Sequence, residues 1–490
     1  MLPFLPIFTL AQATPTPVTP PTPPVEIVQP QQVRVLPGNL DDVPVFNSNS
    51  PELVQKEGIL LSTFPPDGKS TPTAHLNFPF KGRFDVFAHH IAKPPTPEDL
   101  RTLYLGIILY NPGTKPVKVD ILQAASYLSQ PDAPFIELPS FVENPDSTIY
   151  AGPGDRVMND ILRGRRQVNF PSRLVIPPKQ SQMLLNLPLP VRTLEPPLNG
   201  RSTLIRLHSN RLVYAASLAR FASVDAQRNE LPPTLEEWQQ LLDKGELAGP
   251  RDRAPTPPDD TSDRIIYGRV AGVAQGSQWQ AKLTDRPNAR SLSIPAPGQA
   301  FSYGLSTLPG GQLGTTQSQS ARMLVRYPDT AYFAHGNYGV QYSLTLPLLN
   351  RSSKTQTVTL ALQTPVKQDE NQGGLRFLEP PSNQVFFRGT VQIRYNDDAG
   401  LPQTRYVHLL QRRGQQGEPL VTIKMPPSDQ RLVQVDFLYP PDASPPQVLT
   451  IRTLKESSPA MSSTKMLQDL ACKAPGNPNH QQVRSLIVNR

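Results

Sequence analysis

Apolar and polar side chains alternate with a period of two through most of this chain, and the alternation breaks every few residues at proline, glycine or asparagine. Leu103, Leu105, Ile107 and Leu109 run into Asn111-Pro112-Gly113-Thr114-Lys115, after which Val117, Val119 and Ile121 alternate with Lys118 and Asp120. Period-two alternation places one set of side chains on one face of a strand, and Asn-Pro-Gly bends the chain because Pro fixes φ while Gly accepts positive φ. The spacing predicts strand, turn, strand, closed as a hairpin or a hairpin-like corner. A second segment follows the same plan: Tyr342, Leu344, Leu346 and Leu348 lead to Asn350-Arg351-Ser352-Ser353-Lys354, then Val358, Leu360 and Leu362 alternate with Thr357, Thr359 and Ala361. Counted from the asparagine, Lys115 matches Lys354, Val119 matches Val358 and Ile121 matches Leu360. Each copy is also followed by a Pro-Pro corner and an apolar strand, Pro177-Pro178 before Met183 to Leu185 and Pro380-Pro381 before Val385 to Phe387.

Matched order and register suggest two copies of one unit. Short strands with regular turn signals and few helical windows place the chain in the all-β class, as two β-sandwich domains, immunoglobulin-like or jelly-roll-like, joined by a helix-containing linker. The expected organisation is a signal peptide at 1–13, a Pro-rich spacer at 14–40, sandwiches at 41–225 and 264–455, a helical and Pro-rich linker at 226–263, and a disordered tail at 456–490. In the linker, Thr234-Leu235-Glu236-Glu237 reads as a capping box opening a helix, with Leu235, Trp238, Leu241 and Leu242 on one face and Gly245 at the stop. Trp238 is a candidate anchor for the junction between the domains.

Composition sharpens this picture at the ends. Proline supplies 59 of 490 residues, which suits strand edges and turns and excludes a helical protein. The apolar run Leu2 to Leu10, followed by Ala11-Gln12-Ala13, has the pattern of an export signal, although no Lys or Arg precedes Arg34. Thr14 to Pro24 is an extended Thr/Pro tract. No other stretch is long and apolar enough to span a bilayer. Cys472 is the single cysteine, so no disulfide can form within one chain.

Charge and chemistry add little. Net charge is +8, and part of the excess gathers in Arg156, Arg163, Arg165, Arg166 and Arg173, a possible contact for an anionic ligand or surface. Gly152-Pro153-Gly154-Asp155-Arg156 reads as a turn with Asp155 capping a short helix to Gly164. His89-His90 is the one adjacent histidine pair, and neighbours on a strand point to opposite faces, so one metal would not suit both. No nucleophile motif, cofactor motif or nucleic-acid motif is present, and no cofactor is expected. Tyr332, Phe333 and Tyr338, interleaved with Gly336 and Gly339, are possible glycan contacts, because aromatic faces stack on sugar rings.

At Leu103 to Leu128, at Tyr150 to Arg166 with its AGPGDR, and at Val391 to Val421 with QIRYNDD and LLQRRGQQGEP, the chain resembles a cyanobacterial family of exported proteins catalogued only as a domain of unknown function. The likeness runs roughly from Val33 to Leu454. It implies an exported, envelope-associated protein in the periplasm, on the outer membrane or outside the cell, and carries over no catalytic residues. The resulting expectation is a non-enzymatic envelope protein that binds polysaccharide or another envelope protein by its surface. The alternative is a carbohydrate-active enzyme or polysaccharide-export accessory using a cleft between the sandwiches, with two facing carboxylates.

Overall fold

A computed structural model describes residues 23–260 and 265–455, so the expected signal peptide, the start of the spacer, the tail and Cys472 lie outside the described residues. Among the described residues the fold is all-β with two short α-helices. Its first unit is organised by one 23-residue strand, Asn199–Phe221. The front half pairs with Phe80–Ala92 and Val117–Leu128, and the back half pairs with Leu103–Tyr110 and Gly58–Ser62. Between Ser209 and Val213 the register shifts and the strand crosses from one sheet to the other. Alternate side chains from both sheets meet in one core, with Val86, Val119 and Ile205 from one side and Leu105, Ile107 and Ala215 from the other.

The second unit repeats this plan. Its five-stranded sheet runs Val421–Met425, Gln356–Gln363, Gln447–Thr453, Ala300–Leu305, Gln32–Arg34. In the first unit the same order is Arg173–Ile176, Val117–Leu128, Asn199–Phe221, Phe80–Ala92, Pro44–Ser48. In both, the last pair is parallel and the others antiparallel. A seven-stranded sheet containing Gln341–Leu349 and Gln430–Leu438 closes the second core, where Tyr342, Leu344 and Val435 face Tyr303, Leu360 and Ile451.

The two asparagine turns are the same lock built twice. Neither closes a hairpin: Leu103–Tyr110 and Val117–Leu128 lie in opposite sheets of their unit, as do Gln341–Leu349 and Gln356–Gln363. Each turn is an arch from one sheet to the other. Asn111 Nδ2 donates to the carbonyls of Lys115 at 2.9 Å, Ile176 at 2.9 Å and Pro177 at 3.1 Å, while Oδ1 accepts from the Gly113 amide at 2.9 Å. Asn350 Nδ2 donates to Lys354 at 2.8 Å, Met425 at 2.8 Å and Pro426 at 3.0 Å, and Oδ1 accepts from Ser352 at 2.9 Å. The backbones match too, since Asn111 bonds Lys179 and Gln180 as Asn350 bonds Ser428 and Asp429, with Lys179 and Ser428 both at positive φ. The true counterpart of Pro177-Pro178 is therefore Pro426-Pro427. Pro380-Pro381, the pair matched by order of elements, follows a strand that has no partner in the first unit's sheets.

The sheets do not respect the expected domain boundaries. Ala271–Gln275 pairs with Pro44–Ser48 and Ala321–Arg326 pairs with Ala271–Gln275, so residues expected in the second sandwich extend the first unit's sheet beyond Pro44–Ser48. Conversely, Val25–Gln29 pairs with Leu375–Glu379 and Gln32–Arg34 with Ala300–Leu305, so the end of the expected spacer is built into the second unit. An unpaired strand edge is a ready template, and these crossings cover edges that two separate sandwiches would leave open.

The two helices seal different places. α1 (Pro153–Leu162) fills the seam between the units, where Val157, Met158 and Ile161 pack with Phe87 and Leu204 from one side and Leu438 from the other. Asp155 sits in its first turn and accepts from the Ala151 amide at 2.8 Å. α2 (Leu235–Lys244) carries the full capping box, with Thr234 Oγ1 accepting from Glu237 N and Glu237 accepting from Thr234 N. Its Trp238 is fully buried against Ile59, Ile108 and Leu218 of the first unit and is not at the junction.

Two stability tests follow from this packing. Asn111→Ala and Asn350→Ala each strand buried carbonyls, and each is expected to cost about 2–4 kcal/mol in urea unfolding, with the exposed Asn169→Ala within about 0.5 kcal/mol of wild type. Wild-type midpoints for both would show that the arches are not locks. A Cβ on Gly106 would lie 2.6 Å from the Trp238 ring, so Gly106→Ala is expected to lose about 1–3 kcal/mol and to regain part of it in the Gly106→Ala, Trp238→Leu double variant.

Candidate functional site: a cleft at the seam

Alternation along Pro44–Ser48 decides what faces the seam. Phe46 enters the first core, while Val45 and Asn47 point the other way, followed by Asn49. Here the first unit meets the loops Tyr267–Val270, His335–Tyr338 and Pro441–Pro445 of the second, and two adjoining chambers open. They share the walls Arg269, Tyr338, Ala443 and Ser444. The smaller, about 260 Å³, is of mixed polarity, with Asn47, Asn49, Tyr267, His335 and Lys367 beside Val270 and Leu308. The larger, about 470 Å³, combines Glu52, His89 and Asp442 with the apolar surfaces of Ile91, Phe135 and Leu198.

The charged groups of the larger chamber are held from both units. Glu52 forms an ion pair with Arg269, and His89 Nε2 stands 3.7 Å from Glu52 Oε1. Burial pushes the Glu52 carboxyl up against the opposing pull of Arg269. His89 Nδ1 lies 2.8 Å from Ser202 Oγ, and this serine is fully buried within its strand, so the Ser-His-Glu row is not open to a substrate as a nucleophile would have to be. His90 points the other way, to Ser48 Oγ at 2.9 Å and the Pro51 carbonyl at 2.8 Å. Across the chamber Asp442 pairs with Arg388 at 2.6 Å, and the Arg388 guanidinium lies over the Phe135 ring. Burial first, with Arg388 opposing and the Asp155 charge adding, pushes Asp442 up to about 6. Behind it, Asp155 of α1 accepts from His408 Nε2 at 2.7 Å, both side chains fully buried, and this pair ties the seam helix to the second unit.

Sequence comparison places the chain at this point. A family model described as "Protein of unknown function (DUF3370)" matches residues 31–453. The chain belongs to that family. No curated protein matches it. Among solved structures, the 11S allergen from Cocos nucifera is similar at 9% identity and a TM-score of 0.10 over 90% of this chain and 96% of that one. Pro-11S globulin of pumpkin is similar at 9% identity and a TM-score of 0.10, over 83% and 86% of the two chains. A likeness this weak carries no argument here.

In this DUF3370 protein the candidate arginines are dispersed in internal bonds. Arg156 stacks on Tyr127 and Tyr150 and donates to the Asp132 carbonyl. Arg163 lies over Tyr406 and donates to Asn144 and Pro145 carbonyls, linking the units. Arg165 pairs with Asp160, Arg166 donates to the Ile121 carbonyl, and Arg173 pairs with Asp120. Of the candidate aromatics, Tyr338 walls both chambers, its hydroxyl donating to the Ala443 carbonyl. Phe333 stands outside them against His335, and Tyr332 lies under Arg326. Glu52, Arg269, Lys367 and Asp442 come together from four segments far apart in the chain, and of the residues lining the chambers only Tyr338, in its aromatic run, and the adjacent His89-His90 pair gave a local signal. Among the described residues no cluster of three His, Cys, Asp or Glu side chains could hold a metal ion.

The buried ionisable groups fix the direction of the pH response. Burial lowers His75 to about 4, His89 to about 3, His90 to about 4 and His335 to about 4. An unfolded histidine binds its proton near 6.5, so the unfolded chain takes up more protons between about 4 and 6.5, and stability falls as pH drops through that window. Asp442 opposes this, because its folded value near 6 lies above the unfolded 3.8 and the folded state gains that proton first. Asp442→Asn is expected to steepen the acid loss by of order 1–3 kcal/mol, read as Tm against pH from 7 to 4. An unchanged slope would mean that Asp442 is not raised.

Proposed function

We propose that this is an exported, non-enzymatic protein of the cell envelope that binds polysaccharide in the cleft at the seam. The observation that carries the reading is the pair of adjoining chambers walled jointly by Tyr338 and Arg269, with amide, hydroxyl and aromatic groups drawn from both units. Sugar recognition uses this mixture, aromatic faces for the ring and fixed polar groups for the hydroxyls. The apolar run with Ala11-Gln12-Ala13 and the Thr/Pro tract support export, and the envelope supplies polysaccharide as the abundant hydroxylated ligand.

A second reading, a carbohydrate-active enzyme, is favoured by one observation: Glu52 and Asp442, both raised, share the larger chamber. Glycoside hydrolysis needs a protonated acid and a second carboxylate. Binding is the better reading because each carboxylate faces an arginine, Arg269 or Arg388, which holds it as an ion pair.

Affinity electrophoresis of the full chain through gels containing envelope polysaccharides tests the reading. Retardation on at least one polysaccharide is expected, with Tyr338→Ala weakening it roughly three- to tenfold while near-ultraviolet circular dichroism is unchanged. Absence of retardation on every polysaccharide contradicts it. Release of new reducing ends by wild type, lost in Glu52→Gln and Asp442→Asn, would replace it with the enzyme reading.

A further inference from the structure

The smaller chamber has an odd account of hydrogen bonds. Asn47 and Asn49 are 4% and 2% exposed, and their Oδ1 atoms are buried without a partner. The fully buried asparagines Asn111, Asn144, Asn199 and Asn350 each hold several side-chain bonds, and the half-buried Asn186 and Asn371, whose Oδ1 atoms are also unpaired, each keep a bond from Nδ2. Even Asn337, which lines the same chamber, donates to Ser306, Gln319 and Tyr342 and accepts from the Ala321 amide. Leaving a buried amide unsatisfied is unfavourable by of order 1–3 kcal/mol, so two together at one cavity wall point to groups that arrive from outside. A sugar hydroxyl both donates and accepts, and it suits an amide in either orientation.

The second feature is the cation beside them. Lys367 borders the chamber, its ammonium 5.3 Å from the centre of the Tyr267 ring. Among the described residues it has no carboxylate partner, and burial alone lowers its pKa. Arg269, on the shared wall, is already paired with Glu52. Glu52 and Asp442 line the larger chamber, whereas among the described residues that line the smaller one there is no acid to face Lys367.

We propose that the smaller chamber receives an acidic sugar of the bound glycan, a ring whose hydroxyls bond the Asn47 and Asn49 amides and whose carboxylate pairs with Lys367. This rests on the reading of the cleft as a polysaccharide site, and deepens it from glycan to uronate-containing glycan. Tyr267 and Tyr338 both line the chamber, and the glycan chain continues past Arg269 into the larger one.

The test is calorimetric titration of the full chain with three probes: an oligogalacturonate, the same oligomer with its carboxylates reduced to alcohols, and a sulfated galactan oligomer. Oligogalacturonate is expected to bind at least about tenfold more tightly than the reduced oligomer. Lys367→Met is expected to remove that preference, bringing oligogalacturonate down to about the affinity of the reduced oligomer, and Asn49→Ala to weaken both. A measurement on wild type guards against misfolded variants: oligogalacturonate should protect Lys367, more than the surface lysine Lys81, from acetylation read by mass spectrometry. Equal binding of acidic and reduced oligomers, or sulfated galactan alone being bound, overturns the uronate assignment and leaves the polysaccharide reading standing. No binding of any of the three, together with no retardation on envelope polysaccharides, overturns both.

Discussion

The structure hangs on one short strand, Pro44–Ser48. It is hydrogen-bonded in parallel to Phe80–Ala92 on one side and antiparallel to Ala271–Gln275 on the other, so it joins a sheet of the first unit to chain that belongs in sequence to the second. Because side chains alternate, the same strand feeds Phe46 into the first core and turns Val45 and Asn47 toward the seam. The cleft is thus a consequence of where this weld falls. A sandwich pair joined by a free linker would have no fixed wall between its halves, and groups such as Glu52 and Arg269 could not be held in register.

Around that weld the interactions grade from apolar to ionic. α1 fills the deeper part of the seam with Val157, Met158 and Ile161. Asp155 and His408 then close it with a buried pair at 2.7 Å. Breaking such a pair leaves an uncompensated buried group, so its value lies in fixing one geometry more than in added stability. Closer to the cleft, Asp442 forms an ion pair with Arg388 and Glu52 with Arg269. At the wall of the smaller chamber the internal partners run out, at Asn47, Asn49 and Lys367.

Much of the fold could be read in the chain before any coordinates. The strand alternation, the capping box at Thr234 and the repeat centred on Asn111 and Asn350 are local, and local rules suffice for them. The arches were harder, since a strand-turn-strand pattern is the same whether the strands pair or face each other across a core. The pairing of Pro177-Pro178 with Pro426-Pro427 was hidden because a longer insertion separates arch and corner in the second unit. Domain boundaries failed for a physical reason: strand exchange between sequence halves is decided by edges, which carry no compositional mark. The site was least legible, for Tyr338 had an aromatic context while Glu52, Arg269, Lys367 and Asp442 are single charges in four distant loops or strands. Sequence offers no way to tell such charges from ordinary surface residues.

Hydrogen exchange of the backbone amides, followed by mass spectrometry with and without an acidic oligosaccharide, tests the account most directly. The account predicts that Pro44–Ser48 and Ala271–Gln275 exchange slowly and together in the free protein, and that the ligand slows exchange in 45–52, 267–270, 335–338 and 441–445 above all other peptides. Independent, fast exchange of the two paired strands, or ligand protection confined to surfaces away from those four segments, would contradict it.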